Sequence, residues 1–170
     1  MYMLGRGVAK DDREAQCWLR KAAEQEDENA EFALGLIYEE GRGTEPDCAQ
    51  ATEWYRRAGG GQGSVAGQTN LGRLYERGEG VEQNIVEAYF WLDLAASRAI
   101  QQASTQDQTE AFEARDALRR EMTPDEVGEA ERRAVEWIAR RYPYPYRSVL
   151  LRKNSRLERL VRESSGAANT

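Results

Sequence analysis

The sequence predicts an all-α fold, a solenoid of stacked helix pairs. Three observations predict it. Leu34-Gly35-Leu36-Ile37-Tyr38-Glu39-Glu40-Gly41-Arg42-Gly43 recurs 37 residues later as Leu71-Gly72-Arg73-Leu74-Tyr75-Glu76-Arg77-Gly78-Glu79-Gly80, and a broken copy opens the chain at Tyr2-Met3-Leu4-Gly5-Arg6-Gly7-Val8. The segments after these turns repeat as well: Ala15, Ala51 and Ala88 correspond, as do Trp18, Trp54 and Trp91, and Ala22, Ala58 and Ala95, at shifts of 36 and then 37. A fixed period in the thirties is the signature of a helical solenoid. Finally, 40% hydrophobic and 32% charged residues suit a helical protein with one wet face per helix.

Each element follows in order. Residues 1–11 read as the end of a missing helix and a turn. Helix follows from about Asp12 to Gln25, with Ala15, Trp18, Leu19, Ala22 and Ala23 on one stripe at helical spacing. Asn29–Glu40 is the next helix, packing through Leu34, Gly35 and Tyr38. Glycine in a helix interior costs about 1 kcal/mol relative to alanine. Gly35 and Gly72 are therefore expected at close approaches, where the partner helix brings its Trp against the backbone. Gly41-x-Gly43 ends that helix, and Asp47, equivalent to Asp11 and Asn84, is placed to cap the next. That helix runs over roughly Cys48–Ala58, and truncating a buried Trp54 to Ala is expected to cost about 3–5 kcal/mol.

Gly59-Gly60-Gly61-Gln62-Gly63-Ser64 interrupts the period and reads as a flexible joint or a loose loop. It lacks the Lys-Ser/Thr of a phosphate loop and the third glycine of a dinucleotide fingerprint. The second helix of the next copy extends to about Ala99–Gln102. Residues 104–121 form a polar helix with Ala111, Phe112, Ala114, Arg115 and Leu118 inward. Thr123-Pro124-Asp125-Glu126 is a capping box with proline at the first helical position, opening a helix to about Arg141. Its inner face carries Val127, Ala130, Ala134, Trp137 and Ile138. The capping box also explains Asp125 and Glu126, which otherwise invite reading as a catalytic carboxylate pair. Tyr142-Pro143-Tyr144-Pro145-Tyr146 reads as an extended strap, residues 148–163 as a basic amphipathic helix, and 164–170 as disordered. The domains expected are therefore repeats over 1–103, capping helices over 104–141, and strap, basic helix and tail over 142–170.

Charge and composition exclude several function classes. The net charge is −6, divided as −12 over residues 1–130 and +6 over 131–170. The repeat body would repel nucleic acid, so none is expected as a partner, while the tail would attract anions. The chain has two cysteines, Cys17 and Cys48, and no histidine. A disulfide framework is not indicated and zinc sites are nearly excluded. No metal, no cofactor and no catalytic residue is expected, because no nucleophile-and-base spacing and no phosphate motif is visible. No apolar run reaches a membrane span. No signal peptide is visible, which makes the cytoplasm the default. The broken first copy is what a fragment or a misplaced start would produce, and that leaves the periplasm open.

The pattern Leu-Gly-x-x-Tyr-x-x-Gly-x-Gly-(Val)-x-x-Asp/Asn-x-x-x-Ala-x-x-Trp is similar to the Sel-one-like repeat, a relative of the tetratricopeptide repeat. The stretch from Ala114-Arg115-Asp116-Ala117-Leu118 through Met122-Thr123-Pro124 to Trp137 looks like the closing helices of bacterial members. Departures are Thr44 for the usual Val, Gly59 for the second Ala, and the truncated first copy. The resemblance covers roughly residues 1–141. It implies a right-handed α-α superhelix whose first helices line a concave surface, and a non-enzymatic adaptor holding a protein or peptide. A cysteine-rich secreted branch has been linked to β-lactam binding; its cysteine pairs are missing here.

Helical geometry places the groove opposite the packing face. At 100° per residue it falls near Asn29, Leu36 and Glu40, flanked by Phe32 and Glu39, and in the next copy near Ala66, Arg73 and Arg77, flanked by Thr69 and Glu76. Phe32 and Leu36 then form an apolar anchor beside charges of both signs. Singly, each residue also fits packing on a neighbouring helix or solvation; as a set they read as a binding surface. Two alternatives stand beside the adaptor. Self-association would use the open first repeat around Trp18 and Leu19, or the tail. A weaker one is anionic-membrane or anion binding by the basic tail.

Overall fold

A computed structural model of the chain describes residues 12–61, 63–102 and 105–141. Among these the elements are α-helices: α1 (Asp12–Ala23), α2 (Glu28–Glu40), α3 (Cys48–Gly60), α4 (Val65–Arg77), α5 (Ile85–Gln102), α6 (Thr105–Arg119) and α7 (Pro124–Arg141). The opening turn over 1–11, the Tyr-Pro strap, the basic helix and the tail expected from the sequence lie outside the described residues. The fold divides into two compact units, Met1–Asn84 and Ile85–Thr170.

In the first unit each helix packs on the next in the chain, and α2 also meets α4. The polar residues before α2, α3 and α4 explain where these helices begin. The Asp27 carboxylate accepts from the Asn29 and Ala30 amides, Asp47 from Gln50, and the Ser64 hydroxyl from Gly67. The repeat turns explain where α2 and α4 end. Gly41 and Gly78 sit at φ 69° and 70°, and their amides donate to the Ile37 and Leu74 carbonyls. The motif tyrosine then fixes the next helix start. The Asp47 amide donates to the Tyr38 carbonyl at 2.8 Å, and Asn84 to Tyr75 at 3.0 Å.

Gly35 is a close approach, but Tyr55 and not the tryptophan makes it. A Cβ at 35 would lie 2.5 Å from Tyr55 Cδ1. Tyr55 is completely buried, while Trp54 is half-buried with the Arg57 guanidinium stacked over its ring, 4.6 Å from the centroid. Adjacent helical residues differ by 100° in direction, so only one of the pair can point into the α2–α3 seam. Trp18, with Lys21 stacked over it at 4.6 Å, is 55% exposed.

The glycine-rich stretch is not a joint at its start: α3 runs through Gly59 and Gly60. A Cβ at Gly59 would come within 3.2 Å of the Gln68 amide nitrogen, and one at Gly67 within 3.0 Å of the Ala58 Cβ. The two glycines let α3 and α4 approach where they cross. Gln68 Nε2 donates to the Gly59 carbonyl at 2.9 Å across that contact.

In the second unit α5 is the centre, with α6 and α7 packed on it. Trp91 is buried there: it meets Phe90 edge-on at 5.0 Å, and Trp137 of α7 at 6.4 Å. The capping box forms reciprocally at the start of α7. The Thr123 amide donates to Glu126 Oε2 at 2.8 Å, and the Glu126 amide to Thr123 Oγ1 at 3.3 Å. These bonds hold the Glu126 carboxyl below its ordinary pKa. Val127, Ala130, Ala134 and Ile138 are buried beneath, as the pattern predicts, with Trp137 half-buried.

Two comparisons test this packing in urea denaturation. Tyr55→Ala should lose about 3–5 kcal/mol, and Trp54→Ala only about 1–2 kcal/mol; equal losses would place both residues in the seam. Gly35→Ala should lose about 1–3 kcal/mol through the overlap with Tyr55. Gly128→Ala, where nothing lies within 4 Å of the added methyl, should gain about 0.5–1 kcal/mol.

Candidate partner-binding surface

The face expected to bind a partner is built by α2 and α4, which lie beside each other in the first unit. On α2, Asn29 is exposed, and Phe32, Leu36 and Glu39 are half-buried. The Phe32 ring tilts against Tyr55 at 5.7 Å between centroids. Glu40 is exposed and pairs with Arg42. On α4, Arg73 and Glu76 are half-buried; Arg77 is exposed, with its guanidinium 3.4 Å from Glu79. Thr69 does not belong to the surface. It is buried, and its hydroxyl donates to the Val65 carbonyl at 2.8 Å, one turn back. Helical phase alone put it at the edge of the groove.

Sequence reasoning missed what holds α2 in place. The Tyr55 hydroxyl donates to Glu39 Oε2 at 2.6 Å. One phenol from α3 thus ties α3 to α2, with Asn70 of α4 in its electrostatic surroundings. Burial and the neighbouring Glu39 hold the phenol well above the ordinary tyrosine range, so it stays protonated. The available signal was the repeat itself: a large residue follows each tryptophan.

A second set of side chains also repeats. Arg20 of α1 donates to the Tyr38 hydroxyl of α2, and Arg56 of α3 to the Tyr75 hydroxyl of α4 at 2.9 Å. The position equivalent to Arg20 and Arg56 on α5 holds Asp93. Asp93 is buried, with Arg115 of α6 3.5 Å away. Tyr89 and Glu131, also buried, lie nearby, the Tyr89 hydroxyl 3.4 Å from Glu131 Oε1. Burial raises both carboxyls, and Asp93 reaches about 6 against the opposing pull of Arg115. Perturbed carboxylates in pairs are one mark of acid–base catalysis. These are 3% and 5% exposed, which leaves a substrate no approach. They tie α6 and α7 to α5.

Among the described residues no group of His, Cys, Asp and Glu could hold a metal ion. No described helix is long and apolar enough to cross a membrane. Cys17 and Cys48 are free thiols.

The Sel1 repeat matches residues 1–27, 29–59 and 65–99, over half of the chain and in phase with the three copies. The chain belongs to the Sel1 repeat family. Solved Sel1-type structures carry the same helical fold. A Sel1 repeat protein from Oxalobacter formigenes superposes with a TM-score of 0.54 at 30% identity, over 71% of this chain and 55% of that one. A protective antigen present in uropathogenic Escherichia coli strains, displaying an SLR fold, does so with a TM-score of 0.54 at 29% identity, over 81% and 35%. Two curated relatives, both chitin synthase regulators SKT5, match shorter stretches. That of Malassezia restricta is 45% identical over 51 residues, and that of Saccharomyces cerevisiae 38% over 63. Those stretches cover 30% and 36% of this Sel1 chain but only 4% and 9% of the regulators. The matches include both fungal and bacterial proteins, and they assign this Sel1 chain to neither group.

The buried aspartate gives a pH test with a definite sign. The folded chain favours protonated Asp93, so its burial cost is felt above pH 6 and relieved as pH falls toward the unfolded-chain value near 4. Relative to Asp93→Asn, the wild type should gain about 1–2 kcal/mol of stability between pH 7.5 and 5. Parallel stability curves for the two proteins would show that Asp93 does not carry this effect.

Proposed function

We propose that this Sel1 repeat protein is a non-enzymatic adaptor that holds a protein or peptide on the face of α2 and α4. One observation carries the reading: two first helices of successive repeats lie side by side and present different chemistry. Phe32 and Leu36 on α2 offer an apolar anchor, and Arg73 and Arg77 on α4 offer guanidiniums. An apolar centre with charges at its margin is the composition of a peptide-binding surface. The buried Tyr55 ring and its hydroxyl bond to Glu39 hold α2 against α3, which supports a pre-organised face. The curated relatives are named as regulators of chitin synthase, which accords with action on another protein. A metal, a cofactor or a nucleic-acid partner plays no part in this reading.

The test is capture from lysate of the source organism, read by mass spectrometry, with wild type beside Arg73→Glu/Arg77→Glu and Phe32→Ala/Leu36→Ser. The expected outcome is a partner retained by wild type and depleted at least about tenfold by either pair, with circular-dichroism melts confirming folding. The same partners on all three baits would overturn the assignment to this face.

A second reading, self-association through α1, rests on the exposed Trp18. It predicts a mass that rises with concentration in sedimentation and a return to monomer on Trp18→Ala. A concentration-independent monomer would end it.

A further inference from the structure

The second unit contains an open cleft of about 370 Å³, lined by Phe90 of α5 and by Arg133, Glu136, Trp137, Arg140 and Arg141 of α7. Its walls are aromatic and its rim is cationic. Phe90 and Trp137 both pack edge-on against Trp91, at 5.0 and 6.4 Å, so the rings form one three-member cluster. Arg133 lies over Phe90 at 5.2 Å, and Arg141 over Trp137 at 5.1 Å.

Stacking uses the flat face of a guanidinium and leaves its N–H donors pointing outward in the plane. Arg133 directs donors to Glu87. Arg140 is 84% exposed and pairs only loosely with Glu136, at 3.8 Å. Three guanidiniums thus line the cleft against a single lining carboxylate. Of the two guanidiniums proposed to meet the anion, Arg141 is held by its stacking on Trp137, which lowers the side-chain freedom lost on binding.

We propose that this cleft is a second binding site, taking an acidic peptide segment in which carboxylates flank an aromatic residue. The aromatic side chain packs against Trp137, and the carboxylates accept from Arg140 and Arg141. A nucleic acid strand fits less well. It needs a basic track several nucleotides long, whereas this cleft is a single compact site with Glu136 in its lining.

The test is fluorescence anisotropy on the full chain with a labelled hexapeptide of alternating glutamate and phenylalanine. Controls are the glutamine-for-glutamate and leucine-for-phenylalanine peptides, and a ten-nucleotide oligothymidine as competitor. Wild type should bind the acidic aromatic peptide, weaken as salt rises, and bind the glutamine peptide at least about tenfold less tightly. Arg140→Glu/Arg141→Glu should lose binding by a similar factor, whereas Arg73→Glu/Arg77→Glu should leave it unchanged, which separates this site from the α2–α4 face. Absence of binding, equal affinity for the glutamine peptide, full displacement by oligothymidine, or loss in the Arg73/Arg77 variant would each overturn the proposal. Because the peptide controls are read on wild type, the test stands even where the charge-reversed variant fails to fold.

Discussion

The contact of the Tyr55 ring with the bare backbone of Gly35 governs the first unit. A side chain at 35 would hold α3 away from α2; its absence lets a whole aromatic ring into the seam, and burial of that ring offsets the helix cost of the glycine. A buried phenol needs a partner for its hydroxyl, and Tyr55 finds it on α2, in Glu39. The position of α2, one of the two helices of the candidate binding face, therefore depends on a residue of α3 packed against it.

The repeats are also held by a side-chain pattern that changes sign along the chain. Arg20 and Arg56 donate outward to the motif tyrosines Tyr38 and Tyr75. Such partly exposed bonds contribute about 1 kcal/mol each and mainly fix orientation. On α5 the equivalent residue is Asp93, and the cation now comes from α6 as Arg115. The exchange converts a repeated surface bond into a buried ionic contact. It marks where helices of the repeat pattern give way to helices that close the second unit, and Trp91, unlike Trp18 and Trp54, is fully covered there. A buried pair of this kind specifies which helices meet more than it stabilises them.

Among the described residues, the carboxyls with raised pKa values, Glu31, Asp93 and Glu131, are buried, while α2, α4 and α7 present arginines, carboxylates and aromatic rings at their accessible faces. A solenoid face of this sort does its work by geometry: it presents residues from successive repeats at a fixed separation. Thr69 illustrates the limit of reading that face from phase. It lies on the groove side by angle and inside the protein by contact.

Sequence by itself determined the elements and their order. The period, the Asp47 cap, the glycine turns and the Thr123–Glu126 capping box are local signals, and local signals survive whatever the helices pack against. It also determined that Gly35 must be a place of close approach. What entered that space, Tyr55 and not Trp54, was decided only in the tertiary structure. Two neighbours on a helix differ by 100°, and the crossing of α2 with α3 chooses between them. The same holds for Gly59, which reads as part of a loose joint in one dimension and, with Gly67, forms a tight helix crossing in three. The Asp93–Arg115 contact and the cleft beside Trp137 join residues from different helices. Nothing in a repeat period reports such pairings, because they arise where the repetition stops.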